Sequence, residues 1–338
     1  MFNKPVVFVI GAGASSEYNF PLGSALKVSI AKKIKFRFEP YSPDPKEGDY
    51  DLLQHIRRHT GDQARSNDYT RAANDLASAI DSFISIDEAL HFVRASPEAV
   101  EVGKIAIVNE ILIAEGKSSL AISSNTGRVT LDESNSGWLG RLFSMVIAGL
   151  EKTELASAFE NVTFINFNYD RALEHYLYWA LQLKTSASAE EAKKIVSELN
   201  MIRPYGSLGP LDWQEPKGTA YGYPHHVDPF SLITGIRTYT EKAPFHDANK
   251  VASVLAQAKM LIFLGFGFHP QNLDVIKAPP PNKFLQVLAT TFGFHSETVG
   301  AVRGRIIKNL QPASALMMSM KSADLLQELR QNILIALE

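Results

Sequence analysis

The feature that most constrains the fold is the pentapeptide Val6-Val7-Phe8-Val9-Ile10, wholly apolar, rich in β-branched side chains and closed by Gly11. A strand with no polar position has no solvated face, so a short run of this kind reads as a central parallel strand buried on both sides. A second such run, Met260-Leu261-Ile262-Phe263-Leu264, is closed by Gly265. Val162-Thr163-Phe164-Ile165-Asn166 and Met201-Ile202 are further strand candidates, and Phe284–Thr290 and Ala315–Met320 are the last. Between them run apolar spacings of three and four, the mark of an amphipathic helix: Arg171–Lys184, Ala187–Leu199 and Asp247–Ala258, with helices after each of the last two strands. Strands alternating with helices imply a parallel sheet with helices on both faces and ligands at the carboxyl ends of the strands.

The alternation is interrupted. After the first strand, its glycine turn and a helix over Gly23–Ile34, a long block has only helical patterns: Asn67–Ile84, Asp87–Ala95, Pro97–Glu115 and Trp138–Glu151. Ser85 and Glu88 have the spacing of a capping box. The polar stretch Ser118–Ser136 is expected to be loop, as is the aromatic, Gly/Pro-rich segment Pro210–Pro229, and Pro279-Pro280-Pro281 reads as a stiff surface loop. The expected organisation is a sheet domain from 1–36 and 160–338, with a helical insertion over 37–159.

Gly11-Ala12-Gly13 lies directly after a buried strand and before a helix, the context of a phosphate-binding turn. Glycine permits close backbone approach, and a helix amino end offers free N–H groups to a diphosphate. A purely structural turn is the alternative. The dinucleotide fingerprint of dehydrogenases also needs a third glycine and an acid at the end of the second strand. Here the third position is Ser16, and the nearest acid, Glu39, follows Ile34-Lys35-Phe36-Arg37-Phe38, whose alternation of apolar and basic residues makes a poor central strand. A conventional NAD-dependent oxidoreductase is therefore disfavoured, and no Walker loop occurs.

Separated motifs then fall into one order. Gly11-Ala12-Gly13-Ala14-Ser15 with Asn19-Phe20-Pro21 resembles the opening of sirtuin-type NAD-binding domains. Asn168-Tyr169-Asp170 resembles the motif that the bacterial, antiphage-defence-type NAD hydrolase branch carries after a strand. Tyr205-Gly206-Ser207-Leu208 falls where that branch has His-Gly-Ser-Leu, and Gly265-Phe266-Gly267-Phe268-His269 resembles the later loop that touches the adenosine ribose. The resemblance covers roughly 5–35 and 160–295 and implies an α/β fold: a Rossmann-like parallel sheet flanked by helices, with a helical insertion after the first βα unit.

The implied chemistry is cleavage of the nicotinamide–ribose bond of NAD through an oxocarbenium-like state. By the resemblance, Asn168 would bind a ribose hydroxyl or the attacking water, and Asp170 would hold the nicotinamide amide. Gly11, Ala12, Gly13, Ser15, Pro21, Gly206, Gly265 and Gly267 would line the nucleotide. Asn168 and Asp170 also suit helix capping near Arg171. Tyr205 is the departure, because the family histidine serves as general base with a pKa of about 6.5, whereas a phenol titrates at about 10. Either the chain hydrolyses NAD with less base assistance, or it is a nucleotide-sensing or interaction module of the same fold. His225, His226 and His269 are candidates to replace the base; each is also an ordinary surface histidine.

Other features carry less. His55 and His59 have metal-ligand spacing, but two arginines lie between them and no glutamate follows the first. Lys32, Lys33, Lys35, Arg37, Arg57 and Arg58 form either a solvated face or a phosphate-binding patch. Trp213, Tyr221, Tyr223 and Phe230 would stack on a base or on one another. Ser207 lacks the context of a hydrolase nucleophile.

Composition narrows the partners. Thirty-four basic against 36 acidic residues leave a net charge of -2, not the basic domain of a nucleic-acid binder. No signal-peptide pattern or membrane-length apolar run is present, so a cytoplasmic protein is expected. With no cysteine the chain cannot build the four-cysteine zinc module of sirtuin deacetylases, and no metal is expected. The expected ligand is NAD or a related nucleotide, with a homo-oligomer or a defence-system partner implied by the resemblance.

Overall fold

The computed structural model describes residues 2–131, 135–222, 227–238, 245–276 and 282–338. The chain divides into two compact units, one of Met1–Asn19, Ser118–Pro204 and Ala243–Glu338, the other of Phe20–Lys117 and Tyr205–Lys242.

The first unit is built on a six-stranded sheet. Its strands are β1 (Val6–Ile10), β2 (Val162–Asn166), β3 (Asn200–Ile202), β4 (Met260–Leu264), β5 (Gln286–Thr290) and β6 (Ser314–Met318). They lie in the order β3-β2-β1-β4-β5-β6, every neighbouring pair parallel. This is an α/β, Rossmann-like sheet. Every residue of β1, β2 and β4 is buried, as their lack of a solvated face requires. Phe8 sits opposite Phe164 on one side and Ile262 on the other, and the two phenylalanine rings stack at 5.8 Å. Each such side chain contributes about 1.5–3 kcal/mol by leaving water. The chain crosses from β1 to β2 on one side and reaches β4 on the other, so the crevice above β1 and β4 is the topological switch point.

The outer strands follow the sequence less closely. β5 begins at Gln286 rather than Phe284, because Asn282 Oδ1 accepts from Phe284 N and turns the chain, leaving Phe284 exposed. The helices of this unit include Trp138–Val146, Ala172–Thr185, Ala189–Ser197, Phe245–Gln257, Ser296–Leu310 and Ser322–Glu328.

In the second unit, helices Gly23–Ile34, Tyr50–Thr60, Gln63–Ile80 and Ile86–Phe92 accompany Pro97–Lys117. That last helix buries Val102, Ile105, Val108, Ile111 and Leu112, and with Lys104, Asn109 and Glu115 its buried residues run nearly all round, the pattern of a helix enclosed by others. Arg37–Phe38 pairs antiparallel with Pro45–Glu47 in a separate two-stranded sheet. The alternating stretch before Glu39 is thus no part of the parallel sheet. Among the described residues no helix is long and apolar enough to cross a membrane.

Candidate functional site

The turn after β1 is held by the turn after β4. Gly11 N donates to Leu264 O at 3.0 Å, and Gly13 N to Gly265 O at 2.9 Å. A Cβ on Gly11 would lie 2.7 Å from Gly265 O, and one on Gly13 would lie 2.8 Å from Gly265 Cα. Gly265 has φ +56, and its own Cβ would fall 1.9 Å from Ala14 N. The three glycines are therefore required by the approach of two loops to each other. Gly13 and Ala14 have their N–H groups engaged, while Ala12 N–H meets no acceptor among the described residues. The helix that follows is a single turn, Ala12–Ser15, continued by a 3-10 turn over Ser16–Tyr18 and stopped by Asn19 at φ 68. The helix expected over Gly23–Ile34 is present at those bounds and belongs to the second unit.

Asn168, Ser15 and Asp170 meet at this turn. Asn168 Nδ2 donates to Gly11 O at 3.1 Å and to Ser15 Oγ at 2.9 Å, and Ser15 Oγ donates to Asp170 Oδ2 at 2.8 Å. Because a peptide carbonyl can only accept, the contact with Gly11 fixes which end of the Asn168 amide is nitrogen. Asn168 Oδ1 is left without a donor among the described residues. Asp170 Oδ1 accepts from Ala172 N at 3.1 Å, so Asp170 does cap the following helix, whereas Asn168 turns away from it. Ser15, Asn168 and Asp170 are all buried. Arg203, not singled out in the sequence, donates to the carbonyls of Asn168 and Asp170 at 2.8 and 3.1 Å and pairs with Glu174 at 2.6 Å. It fixes the backbone that aims both side chains.

The loop after β4 is braced by aromatic rings. Phe266 lies 5.0 Å from Phe167, 5.4 Å from Phe263 and 5.1 Å from Phe268, which in turn faces Phe294 at 6.2 Å. This packing holds Phe268 at φ 53, which a non-glycine residue rarely adopts. A Cβ on Gly267 would meet only the His269 ring, at 3.1 Å, and His269 itself starts the one-turn helix Pro270–Leu273.

Beneath the first turn lies a further group that sequence reasoning missed. Glu17 Oε1 accepts from Ser322 N at 2.7 Å and Ala323 N at 3.1 Å, and Oε2 from Trp138 N at 3.2 Å, so one carboxyl group caps two helices. Burial pushes its pKa up despite these donors. Trp138 Nε1 donates to Ala14 O at 3.1 Å, and Tyr18 Oη accepts from Leu139 N at 2.8 Å. Nothing in the local sequence around Glu17 signals this, because its partners are remote in the chain.

Pro21, Tyr205 and Gly206 belong to the second unit. There Tyr205 O accepts from Arg237 N at 2.9 Å, Gly206 bridges Ile236, and Tyr205 is half-buried. Phe230, a candidate for stacking on a base, lies instead flat on His59 at 3.8 Å. His55 faces Asp228 at 3.8 Å and His59 faces Glu101 at 3.9 Å, so the two histidines have separate acidic neighbours. Among the described residues no group of three or more His, Asp or Glu is placed to hold a metal ion. The basic stretch is partly neutralised: Lys33 pairs with Asp49 and Glu110, Arg37 with Glu47, and Arg57 donates to Pro43 O. Tyr223, His225, His226 and the Pro279–Pro281 run lie outside the described residues.

No protein-family model and no curated protein matches this sequence. Among solved structures, the chain is similar to a Sir2 homologue in complex with NAD, with TM-score 0.42, 11% identity and coverage of 99% of this chain and 91% of the other. It is also similar to a mutant Sir2 homologue solved with 2'-O-acetyl ADP ribose, with TM-score 0.41, 10% identity and coverage of 99% and 94%.

Proposed function

We propose that this chain is a sirtuin-like protein that binds NAD, or a close relative, at the carboxyl ends of β1, β2 and β4 and hydrolyses NAD to nicotinamide and ADP-ribose. The observation that carries the reading is the Asn168–Ser15–Asp170 relay at the switch point, with Asn168 Oδ1 left to accept from a ribose hydroxyl or a water. In the reaction the ribose C1′–nitrogen bond breaks with its electron pair going to nicotinamide. Water oxygen bonds C1′ and its proton passes to solvent. Asn168 orients the water or the ribose, Asp170 holds Ser15 and through it the amide, and Gly11, Ala12, Gly13, Gly265 and Gly267 supply the backbone beside the dinucleotide. Tyr205, Gly206 and Pro21 enter this reading through the sequence motifs alone.

A second reading, nucleotide sensing without turnover, is favoured by one observation. Both hydrogens of the Asn168 amide and both Asp170 oxygens are already engaged within the protein. In either case the resemblance suggests a role in antiphage defence, with control by self-assembly or by a partner.

Incubation with NAD, following nicotinamide release, tests the proposal. Release that Asn168→Ala abolishes supports hydrolysis. Binding without release, with release gained in Tyr205→His, supports the sensor. A chain that neither binds nor cleaves NAD overturns both.

A further inference from the structure

The loops at the carboxyl ends of β4, β5 and β6 share a charge pattern. Over 265–273, 291–296 and 319–323 the chain has no aspartate or glutamate, and each stretch carries a single basic side chain: His269, His295 and Lys321. All three are exposed. Among the described residues Lys321 is in no ion pair. Its ammonium lies instead 5.6 Å from the centroid of the Phe292 ring, and Phe292 is 62% exposed. An uncommitted cation beside an uncovered aromatic ring suits a nucleotide, which brings an anion and a flat base together.

A run of contacts ties these loops to the glycine turn. Gly13 N donates to Gly265 O, Gly265 N donates to Thr290 Oγ1 at 2.8 Å, and Phe292 follows two residues after Thr290. Thr291 N donates to Met318 O at 2.8 Å, which brings the end of β6, and Lys321 with it, alongside. Neighbouring strands lie about 4.8 Å apart, so β6 ends roughly 10 Å from β4, and Lys321 leans back across that gap to Phe292. With Asn168 of β2 at the nicotinamide ribose and the diphosphate at the Gly11 turn between β1 and β4, the adenosine of the same molecule extends over β4 and β5, toward Phe292 and Lys321.

The two common nicotinamide dinucleotides differ at the 2′ oxygen of that adenosine ribose. A carboxylate at this point accepts from a free 2′-hydroxyl and repels a 2′-phosphate, whereas a basic side chain favours the phosphate. Here the carboxylate is missing from all three loops and the basic side chain is present. We propose that Lys321 takes a 2′-phosphate, with Phe292 against the adenosine, so that the substrate class of the site is the 2′-phosphorylated dinucleotide NADP rather than NAD. The assignment rests on the reading that the carboxyl-end site holds a nicotinamide dinucleotide. Lysine binds phosphate as a point charge, and His269 and His295 set no negative charge against it.

Calorimetric titration of the full chain with NAD and with NADP, in one buffer, tests it. NADP should bind at least roughly tenfold more tightly, the difference expected of one ammonium on a phosphate. The gap should narrow as salt is raised, since both charges meet water. Lys321→Met, which keeps an apolar stem over Phe292 but drops the charge, should erase the difference, and Lys321→Arg should retain it. A packing role for Lys321 would move both nucleotides alike and leave their ratio standing. If NAD binds as tightly as NADP, or the preference survives Lys321→Met, the assignment of Lys321 fails while the dinucleotide reading stands. If neither nucleotide binds, the dinucleotide reading fails and the assignment with it.

Discussion

Ser15 and Asp170 are joined by a 2.8 Å hydrogen bond in which the hydroxyl donates to Oδ2, although 155 residues of chain separate them. The same hydroxyl accepts from Asn168, so its proton has one direction available and the relay runs one way, from amide to hydroxyl to carboxyl. A buried relay with every member satisfied rigidifies its surroundings; with one member missing it strands the others.

Ser15→Ala removes the middle member. Asp170 Oδ2 then loses its bond to Ser15 and one Asn168 hydrogen loses its acceptor, and a buried polar group left unsatisfied costs about 1–3 kcal/mol. Urea unfolding should show a loss of that order, with weaker NAD uptake by calorimetry. Unchanged stability would mean that the relay is not closed in solution.

Gly265→Ala should be far more damaging than Gly267→Ala. At Gly265 the added carbon would lie 1.9 Å from backbone at a left-handed φ, whereas at Gly267 it meets only a histidine ring that can rotate. Strain of that kind costs on the order of 1–3 kcal/mol before the collision is counted. Thermal midpoints of the two variants, measured side by side, decide the point.

Acid should destabilise the chain through His175. This imidazole is 1% exposed, with Nε2 3.0 Å from Leu120 O, and burial lowers its pKa from 6.5 to about 3. The fold favours the neutral ring, so its contribution is whole above pH 6.5 and is lost as the pH falls from there toward 3. The slope is up to about 1.4 kcal/mol per pH unit. His175→Gln, which keeps a donor but does not titrate, should flatten the stability profile over that range in chemical denaturation.

Glu17→Gln should loosen two helix starts together. An amide has one acceptor oxygen for the three N–H groups that the carboxyl group now serves. Amide exchange at Trp138, Ser322 and Ala323 should rise in concert. Acceleration at only one of the two helices would show that they are capped independently.

The centre of the sheet was legible in the sequence for a physical reason. β1, β2 and β4 have no solvated face and stop at glycine or asparagine, so their limits follow from side-chain type. β5 is buried at only three of its five positions and β6 is the half-exposed edge, and their limits depend on the turn at Asn282 and on register with a neighbour. In the site, Asn168, Asp170 and the glycines were visible as motifs, but what each touches was not. That Asn168 reaches back to Gly11 rather than capping forward, and that Gly11 and Gly13 answer to Gly265, are properties of residues brought together across the chain. Arg203 and Glu17 escaped notice because the groups they hold in place are backbone carbonyls and amides, which every sequence contains.

The interlock of Gly11, Gly13 and Gly265 has a consequence for synthesis. A ribosome adds about 5–20 residues per second, and amino-terminal segments fold first. Here the first loop is written early and the backbone that holds it arrives some 250 residues later, after β4 has emerged. A nascent or prematurely ended chain therefore carries the Gly11 turn without its brace. The turn at the switch point is therefore completed only when the second of the two glycine loops has been made.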